Sequence, residues 1–408
     1  MRKYKLAVIG VGSAGIQAIC HFLSSLDSRW QVISIHDPKI DIVGIGESTN
    51  PTFTSSIEYG LDFDLLKDLE SLDATLKFGT QFKDWRKHDF VNPLLTGAVA
   101  VHFNTHKLKT FAFERLPKIW KDKFVSIEGN VKNLNDHQSY VQIELDDQII
   151  DADFVVDCRG FPNLQKFPDE YTTIKGAPVN HALVHNKTEL RPDLKYTNHI
   201  ATIDGWMFEV PLTSRTSHGY LFNDKITSVE QAKVNFAKKI NVDVKDLQNI
   251  EYKFNSYYCK QPIKNRIIRN GNAAVFFEPM FANSLWLYNW FNKLTHDYIA
   301  SHSSIDEVKS IEQQEYLNQQ FIDKAIQVEE MICYNYHGGS IYDTDFWKYT
   351  KEYASNRLTK SGNLKRVTPV LQDMNSINGK HWIGEAVWIY GPLNLCKIDK
   401  NFGYNYFS

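Results

Sequence analysis

Apolar positions in the first fifty residues follow two periods in turn. Lys5 to Ile9 is a short apolar run that predicts a strand, and Gly10-Val11-Gly12-Ser13-Ala14-Gly15 follows it without a gap. Ile16, Ile19, Cys20, Leu23 and Leu26 then recur at three- and four-residue steps, which predicts a helix over Ile16 to Leu26. Gln31 to Ile35 predicts a second strand, with His36-Asp37 at its carboxyl end. Strand-like runs resume at Phe124 to Glu128, Tyr140 to Leu145, Phe154 to Asp157, Gly205 to Pro211 and Gly219 to Phe222. Helical patterns cover Val229 to Ile240, Phe281 to Ile299 and, more charged, Asp306 to Tyr334.

Strand, glycine loop, helix and strand in that order form the setting in which a G-x-G-x-x-G pattern carries meaning. Gly10 permits a tight turn, Gly12 lets backbone approach a pyrophosphate, and Gly15 lets the helix pack on the strand. The helix start then offers unpaired N–H groups and positive dipole to phosphates. The alternative is a βαβ turn without a ligand; a nucleotide cofactor is the stronger expectation.

At 408 residues and 43% hydrophobic, the chain can bury a full core and hold two lobes. No linker or repeat divides it, so the sheet strands of the glycine-loop domain are spread over a long interval with other material inserted. A net charge of −2, with only short basic runs at Lys107-Leu108-Lys109 and Lys238-Lys239, argues against a nucleic-acid partner. No apolar run approaches a membrane span, and Arg2, Lys3 and Lys5 lead straight into the first strand, as in no signal peptide. The five cysteines have no CxxC spacing and read as reduced thiols of a cytoplasmic protein without a metal site. His102, His181, His218 and His302 lack metal-ligand spacing and receive no role.

Narrower motifs follow. Gly44-Ile45-Gly46-Glu47-Ser48-Thr49-Asn50-Pro51 predicts a compact turn, and Asp157-Cys158-Arg159-Gly160-Phe161 a strand ending in a glycine turn. Gly46 to Pro51 resembles the G-E-A/S-T-x-P segment of the flavin-dependent halogenases, relatives of the aromatic hydroxylases, and Asp157 to Phe161 is similar to their D-C-S-G-F. Gly205-Trp206-Met207-Phe208-Glu209-Val210-Pro211-Leu212 resembles G-W-x-W-x-I-P-L, with Phe208 for the second tryptophan. Tyr336-His337 and Asp343-Thr344-Asp345-Phe346-Trp347 resemble the late H-Y…D-T/S-P-F-W segment, with the first pair reversed.

The resemblance implies that reduced FAD and dioxygen oxidise halide to hypohalous acid, and that a lysine passes electrophilic halogen to an aromatic ring. The family's lysine lies eight residues before a tryptophan; Lys77 before Trp85 has that spacing, and Lys83 does not. From the residues alone, a lysine between Leu76 and Phe78 reads as a solvated face. FAD contacts are implied for Gly10, Gly12, Ser13, Ala14, Gly15, Glu47, Ser48, Val131, Asn272 and Leu285. The ribose carboxylate of the family falls on His36 with Asp37 beside it, and Asp37 starting a turn with Pro38 is the alternative. Halide is expected at main-chain N–H groups near Asn283 and Ser284, where Val275 to Leu285 opens the long helix. Phe281 stands in place of a glutamate that assists the lysine in tryptophan halogenases, and Ala282 in place of a serine; with Trp206 and Phe208, Phe281 is expected to border the substrate. Without that glutamate, electron-rich phenols, indoles or pyrroles are the expected substrates.

The expected fold is α/β: a two-lobed FAD-binding architecture of the aromatic-hydroxylase/glutathione-reductase-like type with a helical C-terminal lobe. Residues 1–300 would form the FAD-binding and catalytic module, with substrate-facing strands inserted at 181–225, and 301–408 the helical substrate lobe. Reduced flavin would come from a separate NAD(P)H-dependent flavin reductase, since no second nucleotide motif is present. A homodimer is left open. An aromatic flavin monooxygenase and a catalytically silent FAD-binding protein are the rival readings. The chain ends at Ser408, soon after Phe346-Trp347, which implies a thin lid and loose substrate choice.

Overall fold

A computed structural model of the chain describes residues 3–42, 44, 48–94, 98–137, 139–301 and 311–361. Its helices are α1 (Ser13–Ser25), α2 (Pro51–Leu61), α3 (Thr105–Trp120), α4 (Val229–Ile240), α5 (Asn283–Ala300), α6 (Ile311–Gly338) and α7 (Asp345–Lys360).

The glycine loop springs from the middle of a six-stranded sheet. Its order is Ile263–Lys264, Ile267–Arg269, Phe154–Asp157, Tyr4–Ile9, Trp30–His36 and Phe124–Glu128, parallel throughout except at the first pair. Period-two alternation divides the Tyr4–Ile9 strand between two cores. Leu6 and Val8 face α1 and α5 through Ile16, Ile19, Leu23 and Tyr298. Ala7 and Ile9 face a three-stranded antiparallel meander through Val141, Ile143 and Ile150. Both faces are covered, so these strands read as continuous apolar runs.

A second, seven-stranded sheet runs Ile250–Lys253, His181–Lys187, Thr216–Phe222, Gly205–Pro211, Thr197–Thr202, Gly79–Lys83 and Phe90–Pro93. Only the joint between Thr197–Thr202 and Gly79–Lys83 is parallel. Met207, Tyr220 and Phe222 turn to α4, while Trp206, Phe208 and Leu221 turn to the interior. A short pair, Thr75–Lys77 with Ala100–His102, lies alongside.

Helix α6 is tied to the edge of the first sheet, where Asn318 accepts from Ile263 N at 2.8 Å and donates to its carbonyl at 2.9 Å. Helix α7 is tied to the second sheet through Trp347 Nε1, which donates to Thr202 O at 2.8 Å. Trp347 also meets Trp85 edge to face at 5.2 Å. No helix among the described residues is long and apolar enough to cross a membrane.

The expected α/β architecture is present, and most predicted elements lie within a few residues of their expected bounds. The helix expected from Phe281 starts instead at Asn283, because Phe281 (φ 61°) and Ala282 (φ 56°) are left-handed and cannot belong to it.

Candidate active site

The glycine loop crosses directly under the turn at Asp157–Gly160. Cys158 N donates to Ile9 O at 2.8 Å, and Gly10 has φ +95° with Cys158 O where a Cβ would sit, 2.7 Å away. A Cβ on Gly15 would lie 1.9 Å from Gly10 O, so helix and loop touch backbone to backbone there. Gly12 differs: a Cβ on it would meet nothing within 4 Å. Gly12 is also the extended N-cap of α1, with no side-chain cap and no acidic residue in the first turn. The N–H groups of Ser13 and Ala14 thus start a helix that no side chain caps, beside open space at Gly12, which fits a pyrophosphate.

The ribose end is less clear-cut in its residues. His36 is buried against the Phe113 ring at 5.0 Å, and burial holds its pKa below the ordinary value. Asp37 accepts Lys39 N at 2.9 Å, the turn geometry with Pro38. Val131 follows the Phe124–Glu128 strand, half-buried against the meander core. Glu47 lies outside the described residues. Asn272 accepts from Tyr288 OH of α5 at 2.7 Å, joining the glycine-loop region to the long helix.

Lys77 is 3% exposed, so the solvated face that its neighbours suggest is not what the chain builds. The Thr75–Lys77 strand pairs with Ala100–His102, turning Lys77 inward while Phe78 faces solvent. Lys77 Nζ donates to Ser48 Oγ at 2.8 Å and to Thr49 O at 2.7 Å. No carboxylate pairs with it among the described residues, and burial pushes its pKa down to about 7. The adjacent Asn50 caps α2 through Phe53 N (3.0 Å), while its Nδ2 reaches Ala282 O at 3.4 Å. Residues 48–50 thus link the lysine to the turn where halide was expected.

That turn precedes α5, whose start has no side-chain cap and no acidic residue. Asn283 Nδ2 is buried without a hydrogen-bond partner among the described residues. Asn283 N already donates to Met280 O, so the orphaned Nδ2 stands beside the N–H groups of Ser284 and Leu285 in the first turn of the helix, a donor set that suits a small anion.

The aromatic wall is a cluster around His199. Its ring lies 4.8 Å from Trp206, 5.2 Å from Phe82 and 5.5 Å from Phe281. Burial first, and the Lys77 charge second, push the His199 pKa down to about 3. Phe208 packs 6.4 Å from Trp206. Sequence reasoning missed His199 and gave His102 no role, yet both sit beside the lysine. A histidine inside a strand carries no spacing signal; only the register Thr197↔Thr80 and His199↔Phe82 brings it there.

Residues 5–123 and 92–367 match the model of the tryptophan halogenase family. The tryptophan 6-halogenase SttH of Streptomyces toxytricini is 20% identical, over 86% of this chain and 81% of its own length. The tryptophan 7-halogenase RebH of Lentzea aerocolonigenes is 19% identical, over 85% and 79%. Among solved structures, SttH superposes with a TM-score of 0.75 at 18% identity, covering 88% of this chain and 85% of SttH. The tryptophan halogenase of Shewanella frigidimarina NCIMB 400 gives 0.76 at 15% identity, covering 98% and 90%.

Proposed function

The chain belongs to the tryptophan halogenase family, and from that we propose that it halogenates an electron-rich aromatic ring, with Lys77 handling the electrophilic halogen. The observation that carries the proposal is Lys77 itself: buried, held by Ser48 and Thr49, and with its pKa pushed down to about 7. An amine near neutrality can present a lone pair at working pH, which a solvated lysine cannot.

Reduced FAD, once bound, would supply the electrons that let dioxygen oxidise halide to hypohalous acid. Gly12, Ser13 and Ala14 hold its pyrophosphate at the start of α1. Ser284 and Leu285 would hold halide by main-chain donors at the start of α5, with Asn283 Nδ2 as a further donor. Residues 48–50 keep that turn and the lysine in one frame. Trp206 and Phe281 pack on His199, which feels the Lys77 charge, and burial of the lysine brings its pKa to about 7. Phe281 leaves Lys77 without the assisting carboxylate, so indole, phenol and pyrrole rings that need little activation are the substrates proposed. Reduced flavin comes from a separate NAD(P)H-dependent reductase.

The test is incubation with FAD, a flavin reductase, NADH and bromide against a panel of indoles, phenols and pyrroles. A mass gain of bromine is expected. A gain of oxygen would instead identify a monooxygenase, and no change a silent flavin-binding protein.

A further inference from the structure

Behind Lys77 runs a line of hydroxyls and one imidazole. Ser48 Oγ lies 2.7 Å from Thr197 Oγ1, which lies 2.9 Å from His102 Nε2. His102 Nδ1 lies 3.0 Å from Thr75 Oγ1, and Thr75 donates to Pro211 O at 2.7 Å. Ser48, Thr197 and His102 are buried. Three separate parts of the fold supply the line: the segment before α2, the short strand pair and the seven-stranded sheet.

Its polarity has one solution. A carbonyl only accepts, so Thr75 gives its single proton to Pro211 and must accept from His102 Nδ1–H. Burial holds His102 well below its ordinary pKa, so it is neutral, and with its proton on Nδ1 its Nε2 is bare. Nε2 therefore accepts from Thr197, and Thr197 accepts from Ser48. Ser48, its proton committed, can only accept from Lys77 Nζ. Thr49 O takes a second N–H. A neutral amine has two N–H bonds and one lone pair. Both bonds are engaged, and the lone pair is the remaining valence.

We propose that Thr197 and His102 are positioning residues which, by fixing Ser48 as an acceptor, keep its proton off the Lys77 nitrogen and leave the lone pair open to the reaction. The proposal rests on Lys77 being the halogen-handling residue. The titratable side chains that feel Lys77 among the described residues are His102 and His199, both held neutral by burial, so neither competes for its proton.

Thr197→Val deletes the hydroxyl while keeping the shape. The Ser48 proton then has the Lys77 lone pair as its acceptor, which stabilises the neutral amine. Labelling with [ε-13C]lysine, with the Lys77 resonance assigned by its loss in Lys77→Met, reads this without any turnover. The titration midpoint should fall by about one pH unit in Thr197→Val and return in Thr197→Ser. Halogenated product per reduced flavin consumed should fall about tenfold in Thr197→Val and return in Thr197→Ser. An unchanged midpoint in Thr197→Val, or an equal shift or equal product loss in Thr197→Ser, overturns the proposal. If Thr197→Val does not fold, Thr75→Val releases the same polarity from the far end and is read the same way. A wild-type protein that makes no halogenated product while Thr197→Val still shifts the midpoint removes the functional reading and leaves the polarity standing.

Discussion

Trp206 donates its indole N–H to Glu278 Oε1 at 3.1 Å, across the boundary between the second sheet and the turn that leads into α5. Tyr336 OH of α6 donates to the same oxygen at 2.8 Å. Three motifs far apart in the chain thus close on one carboxyl group. Burial pushes that group up to about 8, because an ionised carboxylate would have left water for two neutral donors.

Glu278→Gln should therefore flatten the pH dependence of stability. The native chain keeps a proton that the unfolded chain releases, so stability is lost as pH rises from about 4.5 to about 8. Glutamine retains an acceptor for Trp206 and Tyr336 and has no proton to lose. Thermal unfolding should match the parent near pH 4, and the variant should gain up to about 5 kcal/mol at pH 9. Parallel pH profiles for the two proteins would count against the buried acid.

Gly12→Val and Gly15→Val should fail in different ways. Open space at Gly12 means a Cβ there meets no protein atom within 4 Å, so the variant should fold and lose FAD binding. Gly10 O at 1.9 Å means a side chain at Gly15 forces helix and strand apart, and that variant should unfold. Circular dichroism and flavin fluorescence separate the outcomes. A folded Gly12→Val that binds FAD like the parent would move the cofactor elsewhere.

What could be read from the chain divides along physical lines. Phe124–Glu128, Phe154–Asp157, Gly205–Pro211 and Val229–Ile240 lie at their expected bounds, since each has a clean apolar period or, for the last, Ser228 as its N-cap. Helix α2 was not expected, although Asn50 and Pro51 are a good N-cap and N1 pair. Its small and β-branched residues gave no stripe, and the glycines before it suggested a turn. The glycine loop and the uncapped start of α1 were legible because they are local. Lys77 was singled out through its spacing to Trp85, but its burial was not foreseen. That depends on pairing with Ala100–His102 and on the approach of Ser48, long-range contacts without a local signal.

Bromide should bind at the start of α5. Anomalous diffraction from bromide-soaked crystals is expected to show a peak within hydrogen-bond reach of Asn283 Nδ2 and the N–H groups of Ser284 and Leu285. Asn283→Leu, which removes the orphaned donor, should weaken halide binding by about 1 kcal/mol, or roughly fivefold. A peak elsewhere, with this turn empty, would relocate the site.

Phe281→Glu should extend activity toward less activated rings. His199 contacts Phe281 at 5.5 Å and feels the Lys77 charge, which places the ring and the lysine around one side chain. A carboxylate at 281 would raise the Lys77 pKa by charge attraction, so the same variant should move the halogenation pH profile upward. The substitution also fills a left-handed position with another non-glycine residue, so the backbone strain is unchanged. Neither a wider substrate range nor a moved profile would mean that Phe281 and Lys77 do not share a site.

Lys77 itself should be required for halogen transfer and dispensable for flavin binding. Lys77→Ala is expected to keep FAD affinity and oxygen consumption while losing regioselective product, measured with a thiol present to scavenge free hypohalous acid. Lys83→Ala, half-buried in the next strand, should keep all three. The pH dependence supplies an independent signature. With the Lys77 pKa at about 7, product formation should rise through a limb near pH 7 that oxygen consumption lacks, because only the neutral amine has a lone pair. Stability carries the same mark. Between about 7 and 10.5 the unfolded chain holds a proton that the native lysine lacks, so this group's contribution to stability rises with pH across that window. Below it, the native state carries a buried ammonium. Lys77→Met should consequently stabilise the protein most at pH 6 and hardly at all at pH 10.5. If the variant gains equally at both, the lysine is not buried in its charged form; if it retains scavenger-resistant product, the lysine is not part of the chemistry.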